Sequence, residues 1–228
     1  MKFIIIGRFP EQVRTAVEFG VLCRALESGR LEIETLQLKD FGHSKHQHID
    51  EKPFGGGAGL VLRVDVVVPA LRAAKAMAPN LPVIMLSPQG EPLKTPRVKA
   101  LAAGHGAILL CGRYEGFDER IRAHVDLEVS VGDFVLTGGE LAAACLVDAV
   151  ARFLPGILGN ADSTEIESHS DGLLEAPHYT QPVSFEGQSV PAVLRSGHHG
   201  QIEAWRQEQA LYRTGQRRPD LIKPSEGD

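Results

Sequence analysis

Cysteine is scarce in this chain. Its three cysteines, Cys23, Cys111 and Cys145, are odd in number and far apart, which rules out a disulfide framework. Free thiols point to a reducing cytoplasm, and each sits in an apolar pattern that places it in the core. Cys111 has Arg113 nearby, the kind of neighbour a reactive thiol needs; against that stands the plainer reading of a core residue. Long apolar runs are missing too. The longest, residues 141–147, falls far short of the roughly 20 residues that cross a bilayer, so no membrane partner is expected. Residues 1–8 carry one lysine before a very short apolar run and lack a small-residue cleavage site. They read as an edge-to-core strand, not a signal peptide. Basic residues vanish between 153 and 194, where Asp162, Glu165, Glu167, Asp171, Glu175 and Glu186 stand unopposed.

The net charge of −5 is awkward for a nucleic-acid binder, but its distribution matters more than its sum. Residues 195–218 carry Arg195, Arg206, Arg213, Arg217 and Arg218 against Glu203 and Glu208, a basic segment able to meet phosphates. An apolar content of 43% fits a globular protein with a real core, and 228 residues allow one large domain with a small appendage.

Up to residue 153, strands and helices alternate. Residues 2–7 form a short strand, and Pro10-Glu11 opens a helix with Val13, Val17, Val21 and Leu22 at helical spacing. Residues 31–38 alternate as a half-buried strand does, 64–77 read as a helix stopped by Pro79, and 82–87 and 106–111 as buried strands. A short helix over 96–103, a strand over 127–131 and an alanine-rich helix over 139–153 complete the series. Such alternation predicts an α/β fold, a mostly parallel sheet with helices on both faces. Periodicity then fails from 154 to about 197, the mark of a linker or functional lid, before an amphipathic helix over 199–212 with Ile202, Trp205, Gln209 and Leu211.

Chemistry concentrates where apolar strands meet glycine-broken loops. Cys111-Gly112-Arg113-Tyr114-Glu115-Gly116 follows one strand, and residues 130–140, SVGDFVLTGGE, follow another. In open α/β sheets ligands bind at the carboxyl ends of strands, and glycine lets backbone groups approach them. Backbone groups around an apolar slot suit a neutral heterocycle such as adenine better than a phosphate. Read alone, these loops are equally well plain strand-to-helix turns. The segment DEKPFGGGAGL, residues 50–60, is no P-loop, because no Gly-Lys-Ser/Thr follows and no helix opens directly. His43, His46 and His48 lack the spacing of a zinc site and read as solvated loop residues; no metal ligand is assigned.

These motifs resemble the bacterial TrmD family, the tRNA (guanine-N1)-methyltransferases. The resemblance runs through nearly the whole chain in the family's order. Phe9-Pro10-Glu11 and Asp50-Glu51-Lys52-Pro53-Phe54-Gly55-Gly56-Gly57 come first, then Leu86-Ser87-Pro88-Gln89-Gly90 and the two loops above. Val150-Ala151-Arg152-Phe153, Gly172-Leu173-Leu174 and Pro177-His178-Tyr179-Thr180 complete it. It implies a SPOUT-type sheet whose C-terminal part is threaded into a trefoil knot, and a small helical C-terminal domain. Three regions are expected: 1–158 for cofactor and catalysis, 159–175 as interdomain linker, and 176–228 for tRNA.

The resemblance also assigns residues. S-adenosylmethionine is expected among three loops: Leu86, Ser87, Pro88, Gln89 and Gly90; Gly112, Tyr114, Glu115 and Gly116; and a third over residues 130–139. The third supplies Ser130, Val131, Gly132, Asp133, Phe134, Val135, Leu136, Gly138 and Gly139. Methylation at guanine N1 requires loss of the N1 proton, hence a carboxylate base, and a cation for the charge left on O6. The family's positions fall on Glu167, where it usually has Asp, and Arg152, with Asp171 as back-up base. Asp50, Gly57, Arg206, Arg213, Arg217 and Arg218 are expected to touch tRNA. In the motif at 50–60 the family's usual Arg, Tyr and Pro are Lys52, Phe54 and Ala58 here. The implied partners are tRNA and a second copy of the chain sharing the site, with no DNA; a divalent ion such as Mg²⁺ is left open. A methyltransferase of the same fold acting on rRNA, and a non-catalytic RNA-binding module, are the alternatives. The first is disfavoured by the motifs at 50–60 and 177–180, the second by intact Glu115, Arg152 and Glu167.

Overall fold

The apolar runs 3–6, 83–86 and 107–111 have no polar side, so strands built from them must be covered on both faces. The computed structural model describes residues 1–158 and 167–222, and divides into two units, Met1–Gly159 and Asn160–Asp228. In chain order the first unit holds β1 (Lys2–Gly7), α1 (Glu11–Val17), α2 (Gly20–Glu27), β2 (Glu32–Gln37), β3 (Asp50–Glu51) and β4 (Val61–Leu62). It continues with α3 (Val64–Met77), β5 (Val83–Pro92), α4 (Thr95–Ala102), β6 (Gly106–Cys111), β7 (Leu127–Ser130) and α5 (Gly139–Ala151).

Five strands make one sheet in the order β2-β1-β6-β5-β7, every pair of neighbours parallel. Alternate residues of each central strand enter different cores. Phe3, Ile5, Ile84, Leu109 and Cys111 pack with α1, α2, α4 and α5; Ile4, Ile6, Met85, Ile108 and Leu110 pack with α3. The sheet of the α/β expectation is therefore present, with β1 an interior strand between β2 and β6 where an edge-to-core strand was expected. The cysteines divide: Cys111 is buried, Cys23 half-buried and Cys145 exposed on α5. A helix as apolar as α5 conceals which of its faces is outward, so the pattern overestimated burial.

Boundaries differ where local chemistry intervenes. The helix expected after Pro10 is two helices, broken at Phe19, whose backbone is extended (φ −128°, ψ 154°). Strand β5 continues to Pro92, but Leu86 and Glu91 both pair with Val129, so residues 87–90 are extruded from the ladder as a loop. That extrusion positions the first expected cofactor loop.

In the second unit, β8 (Ser184–Phe185) and β9 (Gln188–Ser189) make a minimal hairpin before α6 (His199–Arg217), which runs five residues past the expected end. Thr214, buried within α6, donates to Ala210 O at 2.7 Å and accepts from the Leu174 N–H at 2.9 Å. Leu211 is exposed, not part of an apolar stripe. Of the expected linker, 159–166 lie outside the described residues; 167–175 form a hydrogen-bonded turn.

Candidate active-site cleft

The parallel strands β5, β6 and β7 all end at one edge of the sheet, and there the chain leaves a cleft of about 310 Å³. That is the lower end of the range for small-molecule sites. The three expected loops wall it. From the first come Leu86, Ser87, Pro88 and Gln89; from the second Gly112, Tyr114, Glu115 and Gly116. From the third come Ser130, Val131, Phe134, Val135, Leu136, Gly138 and Gly139. Three named residues stand outside the wall. A side chain on Gly90 would strike the Glu128–Val129 backbone at 2.4 to 2.7 Å, so glycine there serves the sheet. Gly132 lies against the Phe134 ring, and Asp133 does not reach the cleft.

The two glycine loops are bolted together. The Gly139 N–H donates to Gly112 O at 2.8 Å, and a Cβ on Gly139 would lie 2.7 Å from Gly112 N, so only glycine permits this approach. Beside it Glu140, with no solvent exposure, pairs with Arg113 at 3.2 Å and accepts the Phe9 N–H at 3.1 Å. Arg113 also reaches Gln12 Oε1 at 3.3 Å and stacks 4.9 Å from the Phe9 ring centroid. One buried ion pair thus joins the β1–α1 turn, the loop after β6 and the start of α5. Burial and Glu140 together hold the Cys111 thiol well above its ordinary pKa, which leaves it a core residue and not a nucleophile.

The motif at 50–60 is tied to the cleft rim. Leu62 N–H donates to Gly116 O at 2.9 Å, and Glu115 N–H to Leu60 O at 3.0 Å. Burial first, and the nearby Asp50 carboxylate second, raise the pKa of the Tyr114 hydroxyl. Tyr114 is held in the left-handed region (φ 60°), an unusual conformation for a side chain of its size. Gly57 stands in the same rim segment.

Sequence reasoning missed other parts of the wall: Arg113, Phe117, Glu119, Arg122, Val129 and Ala142. Arg122 is ion-paired to Glu128 and Glu119 and donates to Gln89 Oε1 at 2.8 Å, so it stiffens the extruded loop. Its place could not be read from spacing, because its partners lie on three different segments. Arg152 caps the C-terminus of α5 in the first unit. Glu167 and Asp171 belong to the second unit, where Asp171 Oδ1 accepts the Leu173 N–H at 3.1 Å in a local turn. Arg206, Arg213 and Arg217 share one face of α6 by their spacing, while Arg218 is paired with Asp220 at 2.7 Å. Among the described residues no cluster of His, Cys, Asp or Glu is placed to hold a metal ion, and no helix is long and apolar enough to cross a membrane. His43 pairs instead with Asp65 at 3.0 Å.

The protein family described as tRNA (Guanine-1)-methyltransferase TrmD matches residues 1–224. A tRNA (guanine-N(1)-)-methyltransferase of Pseudoalteromonas atlantica is 50% identical over 222 residues, 96% of this chain and 84% of its own. Its counterpart from Methylococcus capsulatus is 49% identical over 224 residues, 97% of this chain and 89% of its own. That from Mesorhizobium japonicum is 49% identical over 222 residues, 97% of this chain and 96% of its own. With a cleft built from the same three loops that carry the motifs, and similarity along nearly its whole length, the chain belongs to the tRNA (guanine-1)-methyltransferase TrmD family.

Proposed function

We propose that this chain methylates tRNA at N1 of a guanine, the guanosine immediately 3′ of the anticodon, with S-adenosylmethionine as donor. The observation that carries the reading is the convergence of three loops on one cleft at the carboxyl edge of the sheet, in a chain of this family. The cleft suits the donor chemically. Leu86, Val131, Leu136 and Ala142 offer apolar walls for a purine, and glycine backbone offers polar groups close by. Glu115 also opens on it, while Glu119 in the same wall is paired with Arg122. When bound, the donor supplies an electrophilic methyl group on a sulfonium.

The protein's own task is to make N1 nucleophilic. Glu167 accepts the N1 proton, and Arg152 stabilises the negative charge that then gathers on O6. Glu167 is one methylene longer than the aspartate usual in the family, which lengthens its reach. Asp171, whose Oδ1 accepts the Leu173 N–H, is the back-up base. Asp50 and Gly57 face the target nucleotide from the rim, and Arg206, Arg213 and Arg217 of α6 meet tRNA phosphates. Residues 1–158 form the catalytic domain, 159–175 the linker and 176–228 the tRNA-binding domain. We read the working form as a cytoplasmic homodimer with shared active sites and a trefoil-knotted catalytic domain.

The test is methyl incorporation from labelled donor into two tRNA transcripts, one with guanosine 3′ of the anticodon and one with adenosine there. Label should enter the first alone. Equal labelling of both would overturn the assignment of the target.

A further inference from the structure

Arg8 is the first residue beyond β1, at the same carboxyl edge of the sheet that opens into the cleft. Its guanidinium lies over two rings, 5.3 Å from the Phe9 centroid and 5.6 Å from that of Tyr114. It also donates to the Tyr114 hydroxyl. Tyr114 lines the cleft, whereas Arg8 stands on the rim outside it. Among the described residues no ion pair involves Arg8, while its neighbour Arg113 is committed to Glu140. A surface arginine usually moves freely; this one is oriented by two aromatic faces and a hydrogen bond, which leaves its remaining N–H donors pre-organised.

A planar, oriented guanidinium without an acid partner is built for an oxyanion. An enzyme that modifies a base edge must take that base out of its stack, which brings the flanking backbone to the mouth of the site. We propose that Arg8 binds a phosphodiester of the substrate RNA adjacent to the guanine held for methylation. This rests on the tRNA reading above. The other oxyanion available is the carboxylate of the methyl donor. The position of Arg8 outside the cleft wall favours the phosphodiester.

The experiment separates the two. Wild type, Arg8→Ala and Arg8→Lys are titrated with tRNA over a range of KCl, and with S-adenosylmethionine by calorimetry. Arg8→Ala should weaken tRNA binding by roughly tenfold, the loss expected of one charge-assisted hydrogen-bonded contact. It should also flatten the log K against log salt slope by about 0.7 to 0.9. Arg8→Lys should keep the wild-type slope and recover part of the affinity, since charge survives and the fork is lost. Donor affinity should stay within about twofold in both. Weakened donor binding with tRNA binding intact would assign Arg8 to the donor carboxylate and overturn the proposal, as would no change in either. If wild type itself fails to bind tRNA, the functional reading fails first, independently of Arg8.

Discussion

Glu140 shows how a single residue sets the geometry of the cleft. A carboxylate with no solvent exposure is tolerable only because Arg113 and the Phe9 amide satisfy it. Glu140→Ala would leave the Arg113 guanidinium unpaired in a largely buried position, and should lower stability by about 3–5 kcal/mol, read as a drop in the urea midpoint. A loss under 1 kcal/mol would mean the pair contributes little. Glu167 stands in a different relation to the molecule, since its proposed work is chemical. Glu167→Gln should cut turnover by roughly 10² to 10⁴ and leave donor binding unchanged, because the base acts on the guanine. Asp171→Asn should spare turnover, since an amide oxygen can still accept from Leu173 in the turn. The reverse pattern would move the base to Asp171. Gly112 is a poor place to test the cleft: a Cβ there meets the Phe117 ring at 2.8 Å, which would disturb the fold as well as the cavity. Ala142→Phe projects bulk from α5 into the cleft instead and should abolish donor binding in calorimetry; undiminished binding would place the donor elsewhere.

At the scale of elements, α6 carries the clearest prediction. Arg206→Ala with Arg217→Ala should flatten the salt dependence of tRNA binding by about 1.4 to 1.8 in slope, two phosphate contacts at 0.7 to 0.9 each. An unchanged slope would remove that face from the interface. Arg218, tied to Asp220, should contribute less than either. The same helix shows what sequence conveys and what it hides. Its existence was legible from period and composition, but its end was not, because Arg213-Thr214-Gly215-Gln216-Arg217 has no apolar stripe. What extends it is Thr214, held by Leu174 from forty residues away. The buried strands β1, β5 and β6 were legible because runs such as Ile4-Ile5-Ile6 leave no other placement. The break at Phe19 and the extrusion of residues 87–90 were not, since each is decided by packing or by a neighbouring strand. Glycine and proline marked the three loops as turns at strand ends, and only the resemblance to the family named them as a cofactor site. Arg113, Glu119 and Arg122 could not be placed, since their roles depend on partners brought together only by folding.

Across the whole molecule, the catalytic groups proposed here lie in both units: the cleft and Arg152 in the first, Glu167 in the second. If the working form is a dimer with shared sites, Ala142→Phe and Glu167→Gln, each inactive alone, should partly restore activity when their subunits are mixed. Proven subunit exchange without recovery would put each site within one chain. Methylation at N1 offers a direct readout, because a methyl group there blocks Watson–Crick pairing. Reverse transcription of tRNA treated with the enzyme and S-adenosylmethionine should stop one nucleotide before the guanosine 3′ of the anticodon. Mass spectrometry of the digested RNA should identify 1-methylguanosine at that position. A methyl group on another atom of that guanine, on another nucleotide, or on none would contradict the account.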